Sequence, residues 1–329
     1  MGRSIAANAF SFLIVVLIAL GGLVAWGQGQ FRDAGPLAED TVIEVPKGAT
    51  LGAVSEELLK IGAISHGQIF RIGAKYTDRA DRLKFGEYVL PVGVSMDEIL
   101  DILVQGKSIQ YFVTLPEGMY ISEIIARINA ASDLTGVIET LPPEGMLAPN
   151  TYSFQRGDTR QSVVDRMLAA QVAILDEAWA GRAPDLPLKS KEELLIMASI
   201  VESEAGGAGE WGLVASVFYN RMNANIRLQA DATIRYGLTM GKERLRRGLR
   251  ESELAKDTPY NTYKIDGLTP TPISNPGRDA IMATANPEIS KFYYFVLDGS
   301  GGHAFASNLR EHNANVAAWR KIERARASD

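Results

Sequence analysis

Between Arg3 and Arg32 the chain carries no charged residue, and residues 5–26 are predominantly apolar. This stretch constrains the fold more than any other. As a helix it would rise about 33 Å, enough to cross a hydrocarbon core of about 30 Å. A cleaved signal peptide calls for a shorter apolar run and a small-x-small cleavage site. Here the run is long and ends in Val24-Ala25-Trp26-Gly27, with a bulky residue where a small one is preferred. An uncleaved, single-pass membrane anchor is therefore expected. Charge says little about its direction, because Arg3 and the α-amino group precede the span while Arg32 follows it beside Asp33. The bulk of the chain lies C-terminal to the span, so a short cytoplasmic N-terminus and an external body are expected.

The rest of the chain is globular in composition. Of its 329 residues 46% are hydrophobic and 22% charged, enough apolar material for more than one core. A net charge of −5 argues against a large nucleic-acid footprint, which needs a basic face. There are no cysteines, so disulfide and thiolate chemistry are excluded. The histidines are His66, His303 and His312, with no HExxH or other close ligand spacing, so neither a metal site nor a cofactor is expected.

Periodicity divides the body. Residues 28–40, rich in Gly, Pro and Gln, read as a tether. Thr41-Val-Ile-Glu-Val45 alternates like a strand, and Pro46-Lys47-Gly48 turns the chain. Helical spacing covers residues 50–59 and 68–74, residues 86–90 read as a strand, and Ser95 caps a helix reaching Leu103. A strand at 110–115, a turn at Pro116-Glu117-Gly118 and a helix at 122–129 follow. Residues 144–154 look like loop, 161–178 like a long amphipathic helix, and 181–187 like a boundary. Together these make an α+β protein.

Beyond that boundary Ser190 and Glu193 have capping-box spacing and open a helix. Residues 194–201 are nearly all apolar, and Glu202 and Glu204 fall on the last turn before Gly206-Gly207. The helix dipole disfavours negative charge there, so carboxyls against an apolar run should hold their protons more tightly, as a general acid requires. The plain alternative is that both face water at a frayed end. Two residues apart, the side chains diverge by about 200° on a helix of 3.6 residues per turn, so one cleft cannot take both.

The motifs from residue 196 onward resemble those of the YceG-like family, the endolytic murein transglycosylases. They are Ala198-Ser-Ile-Val-Glu-Ser-Glu-Ala205, Val214-Ala-Ser-Val-Phe-Tyr-Asn-Arg221 and Leu228-Gln-Ala-Asp-Ala-Thr233, followed by Tyr236-Gly237 and Tyr260-Asn-Thr-Tyr263. Pro270-Thr-Pro272, Asn275-Pro-Gly277, Gly301-Gly-His-Ala-Phe305 and Glu311-His-Asn313 complete the series. Two places depart from the family: Gln229-Ala-Asp-Ala-Thr233 stands where Gln-Thr-Asp-Pro-Thr is usual, and Met146 and Ala148 stand where aromatics are common.

The resemblance implies a membrane anchor at 5–26 after a tail at 1–4, a linker at 27–40 and a LysM-like α/β unit at 41–108. An intermediate subdomain at 109–186 and a catalytic domain at 187–325, with a lysozyme-like acid helix, would follow. It implies Glu204 as the catalytic acid/base, with Glu202 the fallback. Gln229, Asp231, Tyr260, Asn261 and Tyr263 become candidates to line or support a glycan groove. Asn261 could equally hold a turn, Asp231 could cap or orient, and His303 beside glycines is more often structural. The implied substrate is the peptidoglycan glycan strand, cut without hydrolysis to a 1,6-anhydro end at a bacterial inner membrane, beside peptidoglycan synthases. Two rival classes stay open: a non-catalytic wall-binding anchor, and a hydrolytic muramidase with Asp231 or Glu202 as second carboxylate. No G-x-S-x-G elbow occurs, which sets aside a serine hydrolase.

Overall fold

The computed structural model describes residues 2–207 and 209–326. The chain divides into two compact units, one comprising residues up to Tyr111 with Phe154–Asp158, the other Phe112–Ser153 with Thr159 onward.

The first unit begins with α1 (Gly2–Arg32). Within it Ala9–Arg32 is long and apolar enough to cross a membrane. The helix continues beyond the apolar run, and its last turn is not a free tether. Phe31 and, further on, Leu37 are buried in the core of this unit. The ring of Phe31 lies so close to Gly73 that a Cβ there would collide with it. Then come β1 (Thr41–Val45), α2 (Leu51–Lys60), α3 (Gly67–Tyr76), β2 (Gly86–Leu90) and α4 (Met96–Gln105). β1 and β2 pair antiparallel, Ile43 opposite Tyr88, and turn those side chains onto the helices. α4 opens with a reciprocal capping box between Ser95 and Glu98 and closes on Gly106 in the left-handed region, the stop signals expected of its sequence.

The second stretch of chain forms β3 (Tyr111–Leu115), α5 (Ile121–Asn129), β4 (Asn150–Phe154), α6 (Arg160–Ala180) and α7 (Lys191–Glu204). After these come α8 (Trp211–Asn223), α9 (Asp231–Thr239), α10 (Glu251–Leu254), α11 (Arg278–Ala285), β5 (Tyr294–Leu297), β6 (His303–Ala306) and α12 (Leu309–Arg326). Residues 150–154, read as loop from sequence, are a strand paired with β3. Their polar run Asn-Thr-Tyr-Ser hid the alternation. The Gly- and Pro-rich stretch after α6, read as a boundary, is a connection inside this unit, where the Ala183 amide donates to the Ala285 carbonyl.

α7 is the centre of this unit. Every residue from Leu194 to Val201 is buried, and α6, α8, α9 and α11 all pack against it. That all-round burial is what the unbroken apolar run requires. Ser190 caps its start by accepting from the Glu193 amide, but Glu193 turns back to the Lys189 amide, so the box is not reciprocal. The helix ends at Ala205 in extended backbone rather than on a left-handed glycine.

Candidate active site

Glu202 and Glu204 leave the last turn of α7 on different sides, as their spacing demands. Glu202 Oε2 accepts from the Gly277 amide at 3.1 Å, at the start of α11. Glu204 Oε1 accepts from the Ala232 amide at 2.9 Å, in the first turn of α9. Each carboxyl sits at the unfavourable end of its own helix but at the amide-rich end of another, which supplies donors and positive potential. Burial still dominates. It pushes Glu204 up to about 7, helped by the nearby Asp231 charge and opposed by the Ala232 amide, Arg235 and Arg221. Glu202 is likewise pushed up to about 7 by burial, opposed by the Gly277 amide and reinforced by Glu117 and Asp279. Both are half-buried.

A cleft of about 240 Å³ opens at this end of α7. Glu117, Gly118, Tyr120, Glu202, Ser203, Ala232, Arg235, Arg244, Leu245 and Ile273 line it. Its walls are strapped to α7 through Ser199, whose hydroxyl accepts from the Ile273 amide while its carbonyl accepts from the Ser274 and Ser203 hydroxyls. A Cβ at Gly277 would displace the Glu117 carboxyl. Burial and the charge of Asp279 raise Glu117 above the usual carboxylate range. The cleft thus carries two acids with raised proton affinity, Glu117 and Glu202, together with two arginines, Arg235 and Arg244. Among the described residues no cluster of His, Cys, Asp or Glu is arranged to hold a metal ion.

The remaining candidates separate into two groups. Asp231 and Tyr263 stand with Glu204: the Tyr263 hydroxyl donates to Asp231 Oδ1 at 2.8 Å, next to the amide that holds Glu204. Gln229 is exposed, with a positive φ of 51°. Tyr260 and Asn261 are buried. Tyr260 packs against Tyr236 at 5.3 Å and bonds Thr271. Asn261 spends its amide on the Leu254 and Lys256 carbonyls and its oxygen on the Tyr263 amide. It therefore fixes the turn that presents Tyr263. His303 is structural too, its Nδ1 2.8 Å from Glu210.

Several important residues gave no signal in the sequence. Arg221 is buried, yet its guanidinium donates to the Tyr293 and Leu228 carbonyls and lies over the Tyr294 ring, close enough to oppose the proton affinity of Glu204. Glu144 is buried and accepts from the Ile121 amide and the Asn275 side chain; burial pushes it up to about 7. Asn275 also receives the Leu147 amide and donates to Met119, so it ties three separate segments together. The partners of Asn275 lie 128, 131 and 156 residues away in the chain, beyond the reach of local pattern.

The family model described as the YceG-like family matches residues 43–318. The chain belongs to this family. Two Streptococcus pneumoniae relatives, from strains D39 and R6, carry the name endolytic murein transglycosylase. Each is 31% identical over 325 residues, covering 84% of this chain and 57% of the relative. The chain thus spans little more than half the length of these two proteins. A Bacillus subtilis protein of the same name is 28% identical over 328 residues, covering 90% of this chain and 89% of its own. The crystal structure of a YceG-like protein from Listeria monocytogenes superposes with a TM-score of 0.52 at 28% identity, covering 84% of this chain and 98% of that one. The match includes α7, the cleft and the residues around Glu204, so they belong to the part this YceG-like chain shares with its relatives.

Proposed function

We propose that this YceG-like protein is a membrane-anchored lytic transglycosylase that cuts peptidoglycan glycan strands endolytically, with Glu204 as its single acid/base. The observation that carries the reading is the state of Glu204, a half-buried carboxyl that accepts from the amide of cleft-lining Ala232 and is pushed up to about 7 by burial. The shared name of the relatives supports the substrate class.

Protonated Glu204 donates to the oxygen joining C1 of N-acetylmuramic acid to C4 of N-acetylglucosamine. The C1–O bond breaks and the glucosamine leaves with the proton as its hydroxyl. The C6 hydroxyl of the muramyl residue then closes on C1 and returns its proton to the Glu204 carboxylate. A 1,6-anhydro ring forms, no water is consumed, and the acid is regenerated. One group thus serves as acid and then base, where a hydrolase needs a second carboxylate to activate water or act as nucleophile. Asp231, Tyr263 and Arg221 orient and balance the charge of Glu204, and Gln229 is exposed where a sugar can reach it.

In this reading α1 holds the protein in the inner membrane, with its N-terminus cytoplasmic and the body periplasmic. The β1–α2–α3–β2 unit is a LysM-like glycan-binding module, and peptidoglycan synthases are the natural neighbours of an enzyme acting on nascent strands. A second reading has one observation in its favour: Glu202 lines the cleft and is also a proton-holding acid. It would make Glu202 the acid, or the second carboxylate of a hydrolase. The test uses full-length protein in detergent with uncrosslinked strands. Wild type and Glu202→Gln should generate anhydro-muramyl ends while Glu204→Gln generates none. Loss with Glu202→Gln and retention with Glu204→Gln would reverse the assignment.

A further inference from the structure

The cleft also holds Arg235, which forms no ion pair in contact range among the described residues. Arg235 lies one turn beyond Ala232 on α9, about 5 Å along the helix, on the face that carries the Glu204 contact. Its Nη1 donates to the carbonyl oxygens of Leu245, at 2.9 Å, and Arg247, at 2.5 Å. Those acceptors are neutral, so they position the guanidinium without cancelling its charge. Its Nε and Nη2 have no protein acceptor among the described residues. Asp231, four residues earlier, is engaged by the Tyr263 hydroxyl. Arg244, the other arginine of this cleft, differs: Glu123 takes it through a fork of bonds at 2.8–3.0 Å and the Gly118 carbonyl takes Nη2.

The surrounding loop is basic as well. Residues 242–250 carry Lys242, Arg244, Arg246, Arg247 and Arg250 against the single acid Glu243, in a chain whose net charge is −5, with Glu123 pairing Arg244 and Glu253 pairing Arg247. An arginine fixed through Nη1, with its Nε–Nη2 edge open to a cleft, is suited to a forked pair of bonds with a carboxylate.

We propose that Arg235 is a substrate-recognition residue that binds a carboxylate carried on the lactyl branch of the muramyl residue in the cleft. This rests on the lytic reading above. Two sources share that chemistry, namely the lactyl carboxylate itself on a peptide-free strand and the carboxylates of an attached stem peptide. Charge recognition at this point lets the enzyme place a muramyl unit, rather than a glucosaminyl unit, against Glu204, because only the muramyl sugar carries the acidic branch.

The experiment compares full-length wild type with Arg235→Gln and Arg235→Lys on three uncrosslinked substrates. These are strands with intact stem peptides, strands stripped by an amidase to free lactyl carboxylates, and stripped strands whose carboxylates are capped as methylamides. For wild type, KM on the capped strands should exceed KM on the better-used anionic strand by about tenfold or more, the loss expected for a charge-assisted bond. Arg235→Gln should show that raised KM on the anionic strands, with little change in kcat and no response to capping, and Arg235→Lys should recover part of the difference. Among anionic strands, preference for intact over stripped assigns the stem-peptide carboxylates, and equal or better use of stripped strands assigns the lactyl group. Equal use of all three strands by wild type would overturn the proposal while leaving the lytic reading intact. So would an equal loss on all three substrates in Arg235→Gln, which is what a mere strut for the 245–247 loop would give. If wild type cleaves no strand, the lytic reading itself fails and takes this inference with it.

Discussion

Glu202 and Glu204 hold protons over the same pH range, but they meet different surroundings, and this difference decides what each variant should do. An acid that must donate works in its protonated form. With Glu204 at about 7, kcat/KM should be level below neutrality and fall about tenfold per pH unit above it. An ordinary carboxylate near 4.5 would place that fall more than two units lower. A pH profile of strand cleavage checks this, and the alkaline limb should persist in Glu202→Gln. Glu204→Gln should lower the rate by about 10²–10⁴-fold, the usual contribution of a positioned general acid, with no loss of thermal stability. The sequence put both glutamates on the last turn of an apolar helix and left open whether they faced water or a cleft. It could not distinguish Tyr263, which touches Asp231, from Asn261, which holds the turn. Both lie in one four-residue motif, and only the tertiary fold decides which faces outward.

At the scale of elements, the cleft depends on how α7 is strapped to the chain that returns over it. Ser199 is fully buried and its hydroxyl is the acceptor for the Ile273 amide. Ser199→Ala would leave that buried N–H unpaired and should cost about 1–3 kcal/mol, measured by denaturant unfolding. Because the strapped segment continues to Gly277, which holds Glu202, the variant should also loosen that side of the cleft. Ser199→Thr, which keeps the hydroxyl, should lose less unless the extra methyl overpacks the site. Helix α7 was legible to the residue because cap, apolar run and glycines agree locally. β4 was not legible, since a short strand paired only with β3 shows no clear alternation of apolar and polar side chains. The buried connections made by Arg221, Glu144 and Asn275 were equally hidden, since polar residues in a sequence advertise surface unless their partners are known.

For the whole molecule, three carboxyls (Glu144, Glu202 and Glu204) are all pushed up to about 7 by burial. Between the ordinary carboxylate range and about 7 the folded state therefore binds more protons than the unfolded chain. Stability must then fall as pH rises through that window. Melting curves from pH 4.5 to 7.5 should show the decline, and Glu144→Gln should flatten it. The anchor makes a separate claim. α1 is continuous from the apolar span into the core of the first unit through Phe31, so the apolar span meets that unit through a packed helix end. Phe31→Ala should cost about 3–5 kcal/mol and lower the melting temperature of the first unit without releasing the protein from membranes. A composition rich in Gly, Pro and Gln led the sequence to suggest a tether here, since one buried aromatic at the end of a helix leaves no periodic trace.

The most direct test of Glu204-driven lytic cleavage is to digest uncrosslinked strands with the full-length protein in H₂¹⁸O and weigh the new ends. The expected result is muramyl ends lighter by one water than hydrolytic ends, free of ¹⁸O, and absent with Glu204→Gln. Muramyl ends that carry ¹⁸O, or unlabelled ends that persist in Glu204→Gln, would contradict it.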